Sequence, residues 1–292
     1  MGVVLVRYNA DGTLDTSFGA AGTGIVTAAI GSGSDTGAAA LVLQPTDGKI
    51  LVAGHALVGT QVNIVLLRYD TNGSLDPGFG NAGMVTTALS SDAMALAIGL
   101  QSDGKIVAAG TRGGFASPPM DAVLVRYNTN GMPDTSFGTA GTGVVTTDIG
   151  SSNNFANAVA VQLDDKIVVA GHAFVDFAAD TSDIAVIRYN ANGTLDSSFG
   201  AGGIVVTNLG GFDNAFSVAL QPLDGKIIVS GNTGSAGIPR VAVLRYDPNG
   251  VLDPGFGTGG IVTTSAIGPS TIASGNAVVL QPDGSIVVAG YD

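Results

Sequence analysis

The sequence contains no cysteine, no tryptophan and no glutamate among its 292 residues. Without cysteine the protein can form neither disulfide bonds nor thiolate metal sites. The missing tryptophan removes the largest aromatic surface on which a ligand could stack. Because every one of the 23 acidic residues is Asp, the sequence also lacks the Glu that glycoside hydrolases commonly use in their carboxylate pairs. These absences weigh against an enzyme.

Positive charge and long apolar runs are scarce as well. The chain has 11 basic residues and a net charge of −12, and nine of the basic residues occupy just two positions of an internal repeat. No basic patch of the kind that binds nucleic acid or an anionic membrane can be assembled from them. Apolar runs such as Ile64–Leu67 are far shorter than the ~20 residues of a membrane helix. We therefore expect neither nucleic-acid binding nor membrane insertion.

A single phrase, repeated five times, dominates what is present. Arg7-Tyr8-Asn9 leads into Asp11-Gly12, Leu14-Asp15 and Ser17-Phe18-Gly19. The phrase starts again, at intervals of 57 to 62 residues, at Arg68, Arg126, Arg188 and Arg245. A fixed period near 60 indicates a repeat architecture in which each unit buries its apolar face against a neighbour. We interpret residues 1–292 as a single domain of five repeats.

Each period contains four short segments typical of β-strands. In the first complete period they are the Ala-rich Ala38–Leu43, the Lys-led Lys49–Gly54, the Arg-Tyr segment Ile64–Tyr69 and the β-branched Met84–Thr87. Short β-branched segments between Gly, Asn and Asp turns favour antiparallel sheets, and no stretch shows sustained helical periodicity. The sequence thus predicts an all-β fold, a five-bladed β-propeller with four antiparallel strands per blade.

The order of the segments predicts how this ring closes. The chain starts with a third and a fourth strand, Val3–Tyr8 and Gly24–Thr27, whose first and second strands, Ala277–Leu280 and Ser285–Gly290, lie at the C-terminus. Pairing the last strand with Val3–Tyr8 would remove open edges that invite aggregation. We expect the N-terminal strands to complete the C-terminal blade.

The repeated phrase resembles a known family. Asp11 to Gly19 recurs almost unchanged as Asn192 to Gly200, and the motifs Gly-(Ile/Val)-Val-Thr and Gln-Pro-x-Asp-Gly-Lys-Ile recur between the copies. Together they resemble the delta-60 repeat over essentially the whole chain. The resemblance implies a β-propeller and a place among bacterial exported and surface proteins, and it brings no catalytic residues. We expect an extracellular or cell-surface protein, although the chain itself shows no signal-peptide pattern.

The acidic turn is one candidate for chemistry. Asn9, Asp11 and Asp15 have the spacing of part of a calcium loop, but calcium requires six to eight oxygens, several of them from carboxylates. The number of carboxylates varies among the five copies, which favours simple turn formation. We expect no cofactor and leave calcium in at least one copy as an alternative.

The arginine of each phrase lies eight residues before an Asp, as Arg7 does before Asp15. A charged side chain within a blade should be paired, because an unpaired buried charge is costly. We expect these pairs to hold the blades together, with a ligand-binding ring of arginines as the alternative.

The connections that vary between repeats provide the remaining candidates. In an antiparallel blade, the connections after the second and fourth strands emerge on one face, and varied loops on a rigid scaffold commonly bind ligands. The Ala-rich first strand of each blade suits the inner position near the axis, where small side chains are needed, and we call it the inner strand. The candidate ligand-binding residues are Asp35, Asp92, Asn153 and Asp213 before the inner strands, and His55 and His172 directly after the second-strand glycine. The alternative is that they are turn formers and ordinary loop residues.

The leading hypothesis is a non-catalytic extracellular or cell-surface binding or scaffold module. Its variable-loop face would bind another protein, a glycan or further copies of the chain. One alternative is a structural subunit of a homopolymer or fibre formed by strand exchange. The other is a carbohydrate-active enzyme that uses Asp residues near the axis of the ring.

Overall fold

The computed structural model describes residues 2–30, 36–114, 117–150, 153–176, 181–234, 238–265 and 272–291. Within these ranges the regular elements are all strands, and no helix could cross a membrane. In chain order the strands are β1 Gly2–Val6, β2 Ile25–Ala29, β3 Thr36–Leu43, β4 Ile50–Val58, β5 Gln61–Tyr69, β6 Met84–Thr87, β7 Ala93–Leu100, β8 Ile106–Gly114, β9 Ser117–Tyr127, β10 Val144–Thr147, β11 Asn154–Val161, β12 Ile167–Asp176, β13 Thr181–Tyr189, β14 Ile204–Thr207, β15 Asn214–Leu220, β16 Ile227–Thr233, β17 Arg240–Tyr246, β18 Ile261–Thr264, β19 Ser274–Leu280 and β20 Ile286–Tyr291.

The strands form four antiparallel sheets of four and two hairpins. We call the sheets I (β3–β6), II (β7–β10), III (β11–β14) and IV (β15–β18), and the hairpins the first hairpin (β1–β2) and the last hairpin (β19–β20). Every sheet follows chain order, because each tight turn returns the chain beside the strand it has just left. This confirms the prediction of an all-β fold built from four-stranded antiparallel units.

The inner strand of each sheet bends at a β-bulge. In sheet III the register shifts between Ala156 and Ala158, opposite Gly171 on β12. A Cβ atom added to Gly171 would lie 1.8 Å from the carbonyl oxygen of Phe155, so only glycine fits there. The equivalent glycines of the other sheets and the last hairpin have the same close contact, which explains why each second strand carries a Gly at this position.

The second strands run further than the sequence predicts. We expected the strand of sheet I to end at Gly54, but β4 continues to Val58 and stays paired with β5 to its end. His55 and His172 are consequently strand residues, paired across the sheet with Gly37 and Phe155. The alternative description of both as ordinary loop residues is therefore corrected, since the second strand stays paired with the third strand beyond its glycine.

Neighbouring sheets pack face to face and bury the core between them. Between sheets I and II, Leu66, Phe79 and Ile106 are buried together with Ala93 and Ala95 of β7. Equivalent clusters lie between sheets II and III and between sheets III and IV. Burial of these apolar side chains supplies the main stabilisation of a repeat array.

The expected Arg–Asp pairing is present in all five copies. In sheet I the Nε atom of Arg68 lies 2.7 Å from Oδ2 of Asp76, which also receives Lys49 at 2.7 Å. The guanidinium stacks 4.6 Å above the ring of Phe79. Burial disfavours the ionised form of Asp76, but bonds from Lys49, the Gly78 N–H and Arg68 outweigh it and lower its pKa to about 2. The charges are thus compensated inside the protein, which favours the structural interpretation of the arginines.

The predicted ring closure is not confirmed. The two hairpins are separate two-stranded sheets, and within the described residues no strand pairing joins β1 to β20. Each hairpin instead packs against its neighbour along the chain, β1 beside β3 and β19 beside β15 and β16. As a result Val4 on β1 and Val287 on β20 remain exposed.

Candidate functional site

Among the described residues, a cluster of aromatic and polar side chains lies at the end of sheet III where β12 ends and β13 begins, the variable-loop end of the sheet. The cluster starts with a cross-strand pair. His172 on β12 lies opposite Phe155 on β11, with the two rings stacked at 4.6 Å and 15°. Phe174 lies two residues further along β12, hence on the same face, and contacts His172 edge-on at 5.4 Å. Phe212, from the connection before β15, meets Phe174 at 5.7 Å.

His172 is almost fully buried in this cluster. Burial disfavours the imidazolium form and lowers the pKa of His172 to about 4. The side-chain amide of Asn157 lies 3.2 Å from Nδ1 of His172 and also donates to the carbonyl oxygen of Ala215, at 2.8 Å. The ring is therefore neutral near pH 7 and is tied, through Asn157, to the inner strand of sheet IV.

Two carboxyl groups lie near this end of sheet III. Asp213 is fully buried and accepts a bond from the Thr233 hydroxyl at 2.5 Å and one from the Leu209 N–H at 2.6 Å. Burial raises the pKa of Asp213. The pKa of Asp183, opposite Ala173 on the neighbouring strand, is also raised, by burial and by the charge of Asp213. Desolvation opposes ionisation of both carboxyl groups, and the charge of Asp213 further opposes that of Asp183.

A cleft of ≈ 540 Å³ opens beside Asp213. Its walls include Leu209 and Thr233, the two residues that bind Asp213, and the exposed side chain of Arg240 lies among its lining residues. Arg240 is one of the two basic residues outside the repeat positions. The other, Arg112, lies at the variable-loop end of sheet II and donates to the hydroxyls of Ser90 and Thr146. The cleft thus combines a cation, hydroxyl groups and aliphatic walls.

The sequence-predicted residues are only partly brought together. His172 and Asp213 lie in the cluster, and Asn153 joins it through its carbonyl oxygen, which accepts the Phe174 N–H. Asp92 lies at another junction, between sheets I and II, and His55 lies on sheet I. Asp35 lies outside the described residues.

Two of the predicted ligand-binding residues have partners that explain their polarity. Oδ1 of Asp92 accepts the N–H of Val62 at 2.9 Å, and Oδ1 of Asn153 accepts the N–H of Met120 at 3.0 Å. In both cases a residue before an inner strand binds the backbone of the third strand of the preceding sheet. Ligand binding by Asp92 and Asn153 stays a prediction, and their observed bonds connect adjacent sheets.

Sequence reasoning missed Phe155, Phe174, Phe212 and Asp183. One signal was available. Five of the 11 phenylalanines occupy the repeat position of Phe18, and five of the remaining six fall between Phe155 and Phe216. Aromatic residues that depart from the repeat within one stretch of the chain indicate a local function rather than the scaffold.

The acidic turns use their carboxylates locally. Oδ1 of Asp11 accepts the N–H and the hydroxyl of Thr13, and Asp15 binds Ser17 and Arg7 in the same way. Asn9 donates to Thr13. Among the residues that the structure describes, no group of three or more His or Asp side chains is placed to hold a metal ion. Calcium binding stays a prediction, to be tested in solution.

Comparison with known proteins identifies the family. A family model described as "Domain of unknown function (DUF5122) beta-propeller" matches residues 2–18, 46–79, 101–137, 162–199 and 223–256, more than half of the chain. The narrower resemblance to the delta-60 repeat stays a resemblance. No curated protein matches this chain.

Solved structures similar to this chain have low identity. They include an ulvan lyase of polysaccharide lyase family PL25, 13% identical, with 88% of this chain and 66% of that chain covered and a TM-score of 0.45. An exo-1,5-α-L-arabinanase from a bovine ruminal metagenomic library is 12% identical, with coverages of 87% and 76% and a TM-score of 0.36. The extracellular domain of a putative one component system from B. thetaiotaomicron is 11% identical, with coverages of 90% and 38% and a TM-score of 0.33.

These structures correct one expectation. We expected the protein not to be an enzyme, but the lyase and the arabinanase are enzymes with an arrangement similar to this chain. The expectation is therefore withdrawn. Likeness at these identities concerns the fold alone, and this chain spans only 66% of the lyase and 38% of the extracellular domain.

Proposed function

This chain belongs to the DUF5122 β-propeller family, and we propose that it binds a ligand through the variable-loop end of sheets III and IV. The observation that carries the proposal is the cluster of Phe155, His172, Phe174 and Phe212 beside Asp213 and the cleft. We call these residues, with Arg240, the ring cluster site.

The departure of the ring cluster site from the repeat supports this proposal. The position of Phe155 is Gly37 in sheet I, Met94 in sheet II and Asn214 in sheet IV, so the fold does not require an aromatic residue there. Phe155 and Phe212 remain half-exposed, and each offers a flat apolar surface to a ligand.

The charges suggest the class of ligand. Arg240 is exposed at the cleft, and guanidinium groups bind carboxylates and sulfates in a bidentate geometry. Thr233 and Thr263 supply hydroxyl groups nearby. We propose a glycan that carries an acidic group, with one sugar face against the half-exposed phenylalanines and the acidic group at Arg240. A protein partner with an acidic side chain is the second candidate, and the same arginine favours it.

Binding to arrays tests this proposal. The full chain would be applied to arrays of acidic and neutral polysaccharides and of proteins, and the affinity for each hit would be measured by calorimetry. We expect Phe212→Ala and Arg240→Gln to weaken binding at least tenfold. Leu223→Ala, which removes a fully exposed side chain at the opposite, repeated-turn end, should leave it unchanged. Equal affinities for all of these proteins would show that the ring cluster site is not the binding surface.

We also propose that the protein works outside the cell or on its surface. The resemblance of the repeated phrase to bacterial exported and surface proteins supports this location. Fractionation of the native cells, with an antibody against this chain, tests it. Recovery of the protein only from the cytoplasm would contradict the proposal.

The five repeats support one further proposal about the architecture, namely that the two hairpins are halves of a fifth blade. The first hairpin has the sequence of third and fourth strands, and the last hairpin has that of first and second strands. Joined, they would make a fifth unit of the same kind as sheets I to IV.

A further inference from the structure

The first hairpin and sheets I to IV form an array in chain order, and each of the four junctions between neighbouring units has the same three contacts. From sheet I to sheet II, the guanidinium of Arg68 donates to the carbonyl oxygen of Thr129, and the N–H of Gly80 donates to that of Asn130 at 2.8 Å. Phe79 covers Gly131 so closely that an added Cβ would lie 2.9 Å from the phenylalanine ring. An Asn-Gly turn of one sheet is thus held by an arginine, a glycine and a phenylalanine of the sheet before it.

The same contacts recur at three more junctions. They join the first hairpin to sheet I, sheet II to sheet III, and sheet III to sheet IV. The arginine and its carbonyl partner are Arg7 and Thr71, Arg126 and Ala191, and Arg188 and Pro248. The phenylalanine and the glycine beneath it are Phe18 and Gly73, Phe137 and Gly193, and Phe199 and Gly250.

Among the described residues, the donors of sheet IV and the turn of the first hairpin lack these contacts. On sheet IV, Arg245 pairs with Asp253 and stacks over Phe256, but within the described ranges it reaches no turn carbonyl. Phe256 is only half-buried, whereas its four counterparts are buried. At the other end of the array, Gly12 has nothing within 4 Å of an added Cβ. Arg245 and Phe256 of sheet IV and the turn that ends at Gly12 therefore present the same complementary groups as the partners at the four junctions.

A fourth contact, a pair of hydroxyl groups, is likewise found at the junctions between sheets I to IV and not between the two ends of the array, within the described residues. Sheets I and II are joined by a hydroxyl pair, Thr87 with Tyr127, at 2.7 Å, and equivalent pairs join the next two junctions. The corresponding residues at the ends of the array are Thr264, which is exposed, and Tyr8, which is 62% exposed while the tyrosines of sheets I to IV are fully buried.

We propose that sheet IV binds the chain's own first turn, Asn9 to Gly12. Arg245 then donates to the carbonyl oxygen of Ala10, the N–H of Gly257 donates to that of Asp11, and Phe256 covers Gly12. This inference rests on the proposed fifth blade and supplies the contacts that close it. A head-to-tail interface either closes a ring or extends into a filament, and connection within one chain favours the ring by raising the effective concentration of the turn.

The same placement fixes how β1 pairs with β20. In sheet I the second and third strands pair Val52 with Leu67. The equivalent pair in the fifth blade is Val288 with Val6. Opposed residues of an antiparallel pair have Cβ atoms close enough for a disulfide, whereas Val4, two residues away, would lie on the diagonal at ~7 Å or more.

Engineered cysteines test this pairing without background, because the chain has no cysteine of its own. Under mild oxidation, the full chain with Val6→Cys and Val288→Cys should form an intramolecular disulfide in most molecules and keep a monomeric mass. The control with Val4→Cys and Val288→Cys should remain largely reduced. Disulfide-linked dimers and larger species would show that β20 pairs with β1 of a second copy, and this would overturn the proposal. Free thiols in both proteins would overturn it as well.

Glycine substitutions provide a second test at the turn itself. Gly12, Gly193 and Gly202 all have positive φ, but only Gly193 lies against a phenylalanine ring. If Phe256 covers Gly12, then Gly12→Ala should lower the urea midpoint as much as Gly193→Ala does. If Phe256 does not cover Gly12, the urea midpoint should fall only as much as in Gly202→Ala, which introduces left-handed strain alone. That result would show that the proposal is wrong. Ligand affinity is measured at the other end of the sheets, so failure of either proposal leaves the other testable.

Discussion

At the scale of single residues, the buried arginine of each repeat performs several tasks at once. Arg126 bonds to Asp134, to the side chain of Gln101 and to the backbone of Ala191, and it stacks over Phe137. Arginine suits this position because its planar guanidinium has five donors in fixed directions and an apolar face. One side chain therefore links the strand, the acidic turn and the next sheet.

Loss of this arginine should be strongly destabilising. Because Arg126→Ala would break the buried pair with Asp134 and leave that carboxylate with Lys105 and Ser136, we expect the free energy of unfolding to fall by about 3 kcal/mol. Arg7 pairs with Asp15 in the same way, but its side chain is half-exposed. We therefore expect Arg7→Ala to lower the free energy of unfolding by clearly less. Urea unfolding of the two variants measures the difference. Equal losses of stability would show that burial of the Arg–Asp pair does not determine how much it stabilises the protein.

His172 should make stability depend on pH. Its pKa is lowered by burial to about 4 in the folded protein, against about 6.5 when unfolded. The unfolded state therefore takes up the proton first, and the contribution of the neutral ring is present above pH 6.5 and is lost as the pH falls from 6.5 towards 4. The full effect is roughly 3 kcal/mol.

Urea unfolding at several pH values checks this prediction. His172→Asn should flatten the pH dependence between 6.5 and 4 relative to the wild type. Asp183 and Asp213 are present in both proteins, so their titration largely cancels in the comparison. His55→Asn is the matched control, which shows how much of the change belongs to His172. A wild-type slope retained in His172→Asn would disprove the assignment.

At the scale of strands and sheets, one inter-sheet contact is missing where the repeat departs from its pattern. Three fourth strands present a Thr hydroxyl to a Tyr of the next sheet. In β2 the equivalent residue is Ala28, and the hydroxyl of Tyr69 on sheet I is buried without a hydrogen-bond partner among the described residues. A buried, unsatisfied polar group lowers stability.

Ala28→Thr should therefore stabilise the protein. We expect the free energy of unfolding to rise by about 1 kcal/mol, since the new hydroxyl would satisfy that of Tyr69. Adding Tyr69→Phe to Ala28→Thr should remove the gain, and the resulting double-mutant cycle isolates the hydroxyl pair. No change on Ala28→Thr would indicate that β2 cannot present the hydroxyl as β6, β10 and β14 do.

At the scale of the whole molecule, the first hairpin protects one face of the array. Val3 and Leu5 of β1 are buried against Ile50, Val52 and Leu67 of sheet I. The chain carries only 12% charged residues, so few charges would oppose association of an uncovered apolar face.

Removal of residues 1–8 should consequently promote aggregation and lower the melting temperature. Light scattering and thermal unfolding of the truncated chain measure both effects, and a chain without residue 1 alone serves as the control. Calcium and a chelator can be included in the same series, where we expect neither to alter the mass of the intact chain. A monomeric truncated chain with unchanged melting would contradict the protective role of β1.

Much of this architecture could be predicted because it is local. The strands follow from β-branched segments, and the turns follow from Asn-Gly and Asp-Gly pairs. The Arg–Asp pairs form because eight residues separate an Arg from an Asp across one tight turn, as between Arg188 and Asp196. Such relations involve residues close together in the chain and are repeated five times, so the residues of one repeat are enough to specify the four-stranded unit and its polar contacts.

Contacts between residues distant in the chain depend on how the sheets pack. Phe155, His172 and Phe212 come from three segments. The pairing of β11 with β12 stacks Phe155 on His172 at 4.6 Å, and the packing of sheet III against sheet IV places Phe212 5.7 Å from Phe174. The same stacking placed Asp92 and Asn153 on the backbone of the preceding sheets. Within the described residues the first and last hairpins share no strand pairing. Their pairing depends on the accumulated rotation from sheet to sheet, which no single repeat encodes.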